Sequence, residues 1–311
     1  MRVVLGVPER AASSTVLTIG NFDGLHLGHR KMLERLRERA TPLGLGTAVL
    51  TFEPHPREVF TPEQAPPRLT SLREKLGLLD SCGVDTTYVC RFSRAFASIE
   101  AVVFIERVLV AGIGVKHLII GDDFCFGKGR SGNIALLQQE GQRCGFTVEA
   151  LPTVEVVGER VSSSAVRDAL AEGDLDHATC LLGRPYSISG RVVHGDKIGR
   201  SLGFPTANVQ LKRKRLPLSG VYAVTVSGID KRHLPGAASI GVRPTIAAGL
   251  KPVLEVHLLD FDREIYGSHV TVHFLRKLRD EARYDSLDAL KAQIAIDVDN
   301  TRNFFSGNFH G

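Results

Sequence analysis

The chain has 311 residues, 43% hydrophobic and 23% charged, with 39 Lys and Arg against 34 Asp and Glu for a net charge of +5. That length suits about two domains, each able to bury its own core, and the composition excludes collagen-like, coiled-coil and disordered classes. No apolar run approaches the ~18 residues of a membrane span, and Pro8, Glu9 and Arg10 interrupt any secretory leader, so a cytoplasmic protein that does not enter a membrane is expected.

In chain order, Thr15–Ile19 reads as a strand and His29–Ala40 as a helix with Met32, Leu33 and Leu36 on one face. Thr47–Phe52 is a strand, the spacing of Leu72, Leu76 and Leu79 marks a helix, and Thr86–Val89 is another strand. A largely buried helix over Ile99–Val110, a strand at Lys116–Ile120, a helix from Ile134 to Arg143 and a strand at Phe146–Ala150 follow. Ser163–Ala171 is a helix with serines at its start, a favourable capping arrangement. This alternation predicts an α/β domain with a parallel sheet. The pattern changes near Gly183-Arg184-Pro185, and domains of residues 1–183 and 184–311 are expected. Beyond it, Ser187–Val193, Val221–Val226, Ala237–Gly241, Val253–Leu258 and His269–Phe274 are short alternating segments separated by Gly and Pro. They predict a small antiparallel barrel, closed off by a helix with Leu287, Leu290, Ile294 and Val298 on one face.

Five cysteines (82, 90, 125, 144 and 180) never approach C-x-x-C spacing, so buried thiols are expected rather than disulfides or a zinc cluster. The basic run Lys212–Arg215 precedes Pro217 and Gly220 and reads as a solvated loop. No aromatic residues interleave with it to stack bases, so nucleic acid is not an expected partner.

The most informative segment, Gly20-Asn21-Phe22-Asp23-Gly24-Leu25-His26-Leu27-Gly28-His29, joins the first strand to the first amphipathic helix. Gly24 and Gly28 permit tight turning and close approach of a phosphate to backbone amides. The helix start adds partial positive charge at the same place. His26 and His29, three apart, can donate to a polyphosphate and stabilise charge at a transferring phosphorus; a capped helix with two surface histidines is the plainer alternative. Ser162, Ser163 and Ser164, followed by Arg167 one turn later, form a second phosphate-holding arrangement. The first stretch resembles the nucleotidylyltransferase superfamily, which transfers a nucleotide and releases pyrophosphate. In that resemblance Gly20, Asn21, Asp23, Gly24, Ser162–Ser164 and Arg167 bind ATP. Ser164 stands where Thr is usual, a loss of one methyl that implies reduced packing with the hydroxyl chemistry kept.

Thr51-Phe52-Glu53-Pro54-His55-Pro56 and Gly121-Asp122-Asp123-Phe124-Cys125-Phe126-Gly127-Lys128 both follow strands, where open α/β sheets bind ligands. Phe52, Pro54, Pro56, Asp123 and Phe124 could hold a planar ring. Neither a P-loop nor G-x-G-x-x-G is present at these turns. In the second half, Gly195–Asn208 sets glycines around a basic loop that enters Pro205-Thr206-Ala207-Asn208. Thr206 and Asn208 point the same way on an extended segment and offer hard oxygens to a magnesium–phosphate complex. Glu255, opposite Leu254, Val256 and Leu258, is either a proton acceptor or an ordinary exposed strand Glu.

These runs, with Gly220-Val221-Tyr222-Ala223 and Gly241-Val242-Arg243-Pro244-Thr245, closely resemble riboflavin kinase. Together the two halves resemble the prokaryotic bifunctional riboflavin kinase/FAD synthetases over about residues 15–305. The resemblance implies a Rossmann-like nucleotidylyltransferase domain, then a six-stranded barrel with a terminal helix. It implies riboflavin, FMN, FAD and ATP as ligands, Mg2+ as cofactor, and a monomer or weak homo-oligomer. Its kinase site would use Gly199, Arg200 and Gly203 for ATP, Thr206 and Asn208 for the metal, and Glu255 as base, with His26 and His29 catalytic in the other domain. The segment Ile246–Lys251 lacks the aromatic or glycine usual after R-P-T, so a flap there is expected to differ. A flavin-sensing or RNA-binding protein that kept the fold is the competing reading; it would predict loss of these residues, and all are present.

Overall fold

The computed structural model describes residues 1–156, 158–195, 202–245 and 249–307, with the backbone alone over 243–245 and 249–251. By packing, they divide into two compact units: Met1–Pro66 with Leu72–Ser162, and Pro67–Ser71 with Ser163–Gly311.

The first unit holds an all-parallel sheet in the order β1-β4-β3-β2-β5-β6. Its strands are β1 (Arg2–Leu5), β2 (Thr15–Ile19), β3 (Gly46–Glu53), β4 (Thr86–Arg91), β5 (Val115–Gly121) and β6 (Thr147–Leu151). β2 is buried along its whole length because both faces of the sheet are covered. Val16, Val49 and Ile119 pack on one face with Leu33, Leu36 and Leu79; Leu17, Leu50 and Leu118 pack on the other with Ile105, Leu109 and Leu137. The helices are α1 (Leu27–Leu43), α2 (Pro56–Phe60), α3 (Leu72–Ser81), α4 (Arg94–Ala97), α5 (Ala101–Val103, passing into a π-helix over Phe104–Ile113) and α6 (Ile134–Cys144). The largely buried helix expected over Ile99–Val110 is thus present, wound mostly as a π-helix, and it ends where Gly112 lies so close to Val7 and Pro8 that no side chain fits. A small ladder, β7 (Glu155–Val156) with β8 (Glu159–Arg160), follows β6.

In the second unit, α7 (Ser163–Glu172) and α8 (Leu175–Leu182) precede a closed antiparallel barrel. Its strands are β9 (Ser187–Val193), β10 (Ala207–Val209), β11 (Gly220–Ser227), β12 (Leu234–Thr245), β13 (Gly249–Leu258) and β14 (His269–Arg279), ordered β10-β13-β12-β11-β14-β9. The ring closes by pairing Asn208 with Val193 and Val209 with Val192, which leaves no free edge. On β13, Leu254, Val256 and Leu258 are buried, while Glu255 and His257 face outward. Helix α9 (Leu287–Phe305) ends the chain, capped by Ser286.

Two expectations need correcting. The run Lys212–Arg215 is a loop, but Arg213 is buried: its guanidinium donates to Tyr186 Oη at 2.8 Å and to the Leu69 carbonyl at 3.2 Å. A cation can enter the interior there because its Nη1 meets three oxygens, those of Arg68, Leu69 and Tyr186. All five cysteines are free, yet only Cys90 is buried, and burial pushes its thiol up to about 11; Cys180 is exposed. Among the described residues, no helix is long and apolar enough to cross a membrane.

Candidate functional sites

The strand order places β2 between β3 and β5, so the chain leaves its C-terminal end at the point where the connections diverge to opposite sides. The turn built there is strained. Phe22 and Leu25 have φ of 49° and 42°, Gly24 has φ of 80°, and both side chains are fully buried anchors. His26 then caps α1: its Nδ1 accepts from the His29 amide at 3.4 Å, which leaves the proton of the neutral ring on Nε2. The two imidazoles stack with centroids 3.7 Å apart and 19° between planes. His29 is held well below its ordinary pKa, first by burial, then by His26 and by Lys75. It is therefore a neutral ring at physiological pH, able to offer one N–H to an oxyanion.

Buried atoms of this turn await partners. Asn21 Oδ1 and His29 Nδ1 are enclosed without a hydrogen bond. Asp23 is also buried, and Gly28 lies against the His26 ring, where an added Cβ would sit 3.2 Å from Cε1 and Nδ1. Gly20 is similarly constrained by the Phe22 ring. Behind the turn stands Lys75, only 5% exposed, with Nζ 3.4 Å from Thr51 Oγ1, which in turn donates to the Asn21 carbonyl at 3.3 Å. Sequence reasoning missed this cation. Its signal was a lysine three residues after Leu72 on the same apolar helix face.

The other expected residues of the first unit surround different turns. Phe52, next to last in β3, lies in an aromatic cluster, 5.7 Å from Phe92 and 5.9 Å from Phe96; Pro54 follows the strand and Pro56 opens α2. Phe124 stacks on Phe126 at 5.6 Å, and exposed Asp123 pairs with Arg160 at 2.6 Å. Lys128 forms a surface ion pair with Glu100 at 2.9 Å. Ser162 closes the first unit, whereas Ser163, Ser164 and Arg167 start α7 in the second. Arg167 donates to the Pro67 carbonyl at 2.7 Å and to the Ser163 carbonyl at 3.1 Å.

The barrel carries two cavities on its outer surface. The larger, about 600 Å3, lies between the barrel wall and α9, with Glu255, Ser239, Ala237, Leu290, Ile294 and Val298 in its lining. The smaller, about 250 Å3, includes Asn208, Gly195, Phe261, Arg263 and Tyr266. Thr206 lines both. Antiparallel register sets Asn208 directly opposite Glu255, so the carboxylate and the amide stand on adjoining strands. Gly195 has no Cβ because the Asn208 side chain occupies that space. His257 is packed: Nδ1 is 2.9 Å from the Pro205 carbonyl and the ring meets Phe204 edge-on. Gly203 adopts φ of 89° in the turn before Phe204. Gly199 and Arg200 lie outside the described residues. A hydroxyl and an amide oxygen on one cavity wall are donors that suit Mg2+ rather than a soft metal.

Residues 9–165 match the FAD synthetase family model and residues 182–305 the riboflavin kinase model. The chain is 50% identical over 308 residues to the bifunctional riboflavin kinase/FMN adenylyltransferase of Escherichia coli K12, covering 98% of each chain. It is 53% identical to the enzyme of that name from Pseudomonas fluorescens, over 95% of this chain and 94% of that one, and 48% identical to the Haemophilus influenzae one, over 98% and 100%. Among solved structures, a protein named for macrolide efflux from Streptococcus pneumoniae shares the fold with a TM-score of 0.83 at 30% identity, over 97% of this chain and 99% of that one. Two family models in tandem, and relatives that match from end to end, leave one assignment: the chain belongs to the bifunctional riboflavin kinase/FMN adenylyltransferase family.

Proposed function

We propose that residues 184–311 phosphorylate riboflavin with ATP to give FMN, and that residues 1–183 join FMN to the adenylyl group of a second ATP to give FAD and pyrophosphate. The observation that carries the kinase reading is the pair of cavities sharing Thr206, with Glu255 facing one and Asn208 the other. Riboflavin fits the larger cavity and the nucleotide the smaller one, beside Asn208 and Arg263, so that the 5′-hydroxyl and the γ-phosphorus meet at their common wall. The hydroxyl oxygen then bonds to phosphorus, the bond to the bridging oxygen of ADP breaks, and Glu255 takes the hydroxyl proton. Thr206 Oγ1 and Asn208 Oδ1 would hold magnesium, which when bound supplies positive charge to the β- and γ-phosphates. Gly199, Arg200 and Gly203 belong to the nucleotide side by resemblance.

Within residues 1–183, an oxygen of the FMN phosphate attacks the α-phosphorus of ATP while the bond to pyrophosphate breaks. His26 Nε2–H and the neutral His29 ring stabilise the charge that grows on the phosphoryl oxygens and the leaving group. Gly20, Asn21, Asp23, Gly24, Ser162–Ser164 and Arg167 serve ATP, and Phe52, Pro54, Pro56, Asp123 and Phe124 serve the flavin. We place both reactions in the cytoplasm, on a monomer or weak homo-oligomer, without nucleic acid. The test is to incubate the pure protein with riboflavin, ATP and Mg2+ and separate the flavins by chromatography. FMN followed by FAD is expected, and a protein with both His26 and His29 replaced by Ala should stop at FMN. FAD formation at the normal rate by that variant would remove the histidines from the chemistry.

A further inference from the structure

Helix α9 roofs the larger cavity, but its apolar hold on the barrel is weak. Leu287 is 63% exposed and Ile296 51%, and of the expected apolar face only Val298 is fully buried. What fastens the roof is ionic. Arg279, the last residue of β14, meets Asp297 of α9 in a bidentate pair, Nε to Oδ1 at 2.8 Å and Nη2 to Oδ2 at 2.7 Å. Asp297 is 5% exposed, and its remaining acceptor capacity is used from within the helix: Gln293 donates to Oδ1 at 3.1 Å and Thr301 to the main-chain carbonyl at 2.7 Å. The third arm of Arg279, Nη1, donates to the Asp280 carbonyl at 2.9 Å, and the guanidinium lies 5.8 Å from the Tyr284 ring. Both members line the cavity that contains Glu255.

Each nitrogen of this guanidinium is thus held by protein, which fixes the plane and direction of the side chain. That geometry fixes two walls: the register of α9 over the barrel, and the path of Asp280–Ser286 beside it. The same segment is seated a second time where the Glu281 carboxylate fills the space above Gly241 that any Cβ would take. A buried ion pair adds little net stability but specifies one arrangement, and a planar fork specifies it more tightly than a point charge. The structure assigns Arg279 and Asp297 as the positioning pair of the riboflavin cavity: they set how well riboflavin is held and take no part in phosphoryl transfer. The inference rests on reading this cavity as the riboflavin site.

The test measures KM for riboflavin and kcat of FMN formation in Asp297→Asn, Arg279→Lys and the double variant Arg279→Met/Asp297→Leu. Circular dichroism and thermal denaturation of the same samples serve as the check on folding, and FMN-to-FAD conversion as the control for the other activity. The single variants should raise KM about tenfold or more while kcat stays within about threefold, with adenylyl transfer unchanged. The double variant leaves no lone buried charge, so it can be read even where a single variant does not fold; it too should keep the high KM, because apolar contact does not restore the register. A KM within twofold of the parent in any folded variant overturns the assignment. A fall in kcat at unchanged KM also overturns it, by moving the pair into the chemistry. If the parent protein makes no FMN at all, it is the kinase reading that fails.

Discussion

Gly28→Ala separates stability from catalysis at the strained turn. Gly28 is the second residue of α1, and its φ is not in the left-handed region, so Ala suits the backbone. Replacing a helical Gly by Ala gains about 0.5–1 kcal/mol. The new methyl, however, sits 3.2 Å from Cε1 and Nδ1 of His26, tighter than ordinary contact. His26 cannot simply recede, because it is buried and stacked 3.7 Å from His29. The ring must yield by a few tenths of an ångström, and since about 1 Å of misplacement costs roughly a hundredfold in rate, a loss of about 3- to 10-fold follows. Thermal denaturation should therefore show an unchanged or raised midpoint. FAD formation from FMN should fall by that factor, and FMN formation from riboflavin should hold. Full adenylyl transfer in a variant of normal stability would refute the idea that the His26 ring position limits the reaction.

Glu255→Gln keeps shape and a hydrogen bond but cannot take a proton, so FMN formation should drop by about two to four orders of magnitude while supplied FMN still becomes FAD. Retention of more than about a tenth of kinase turnover would place the base elsewhere. Thr206→Ala and Asn208→Asp should both raise the magnesium concentration needed for FMN formation, the first by losing a ligand and the second by changing its charge; an unshifted magnesium titration in both counts against the ligand role. Because burial holds His29 well below its ordinary value of 6.5, the unfolded chain binds the extra proton as pH falls through that value. Stability should decline toward acid from about pH 6.5, and His29→Gln should flatten that decline in pH-dependent urea melts; an unaltered slope would show that His29 is not held neutral.

Where side-chain periodicity is set by the local chain, the elements were legible. β2 occupies Thr15–Ile19 because both faces of that strand are covered and its β-branched and apolar residues suit a buried strand. α1 begins earlier than its first apolar residue suggested, since the cap is an imidazole and not one of the usual small polar side chains. β1 went unread because an edge strand need not bury its side chains, and Leu5 is 82% exposed. β10 is only three residues long, too short for alternation to register. The charged residues failed for a related reason. Lys75, Arg213 and Asp297 are buried by partners remote in sequence, as with Arg213 and the Leu69 carbonyl 144 residues away, and no local pattern announces such a partner. The site motifs could be read as candidates because turns, caps and the T-x-N pair are themselves local.

The Pro67–Ser71 segment packs with the second unit although it is made with the first. Its carbonyls are met by Arg167, Tyr186 and Arg213, which follow their acceptors by 100, 117 and 144 residues. On a ribosome adding about 5–20 residues per second, that separation is a wait of roughly 5–30 seconds. During it the parallel sheet can be completed through β6, while the Pro67 and Leu69 carbonyls wait for these three donors. Pro66 and Pro67 hold the segment extended, so it is poised for docking before Arg167, Tyr186 and Arg213 have been synthesised.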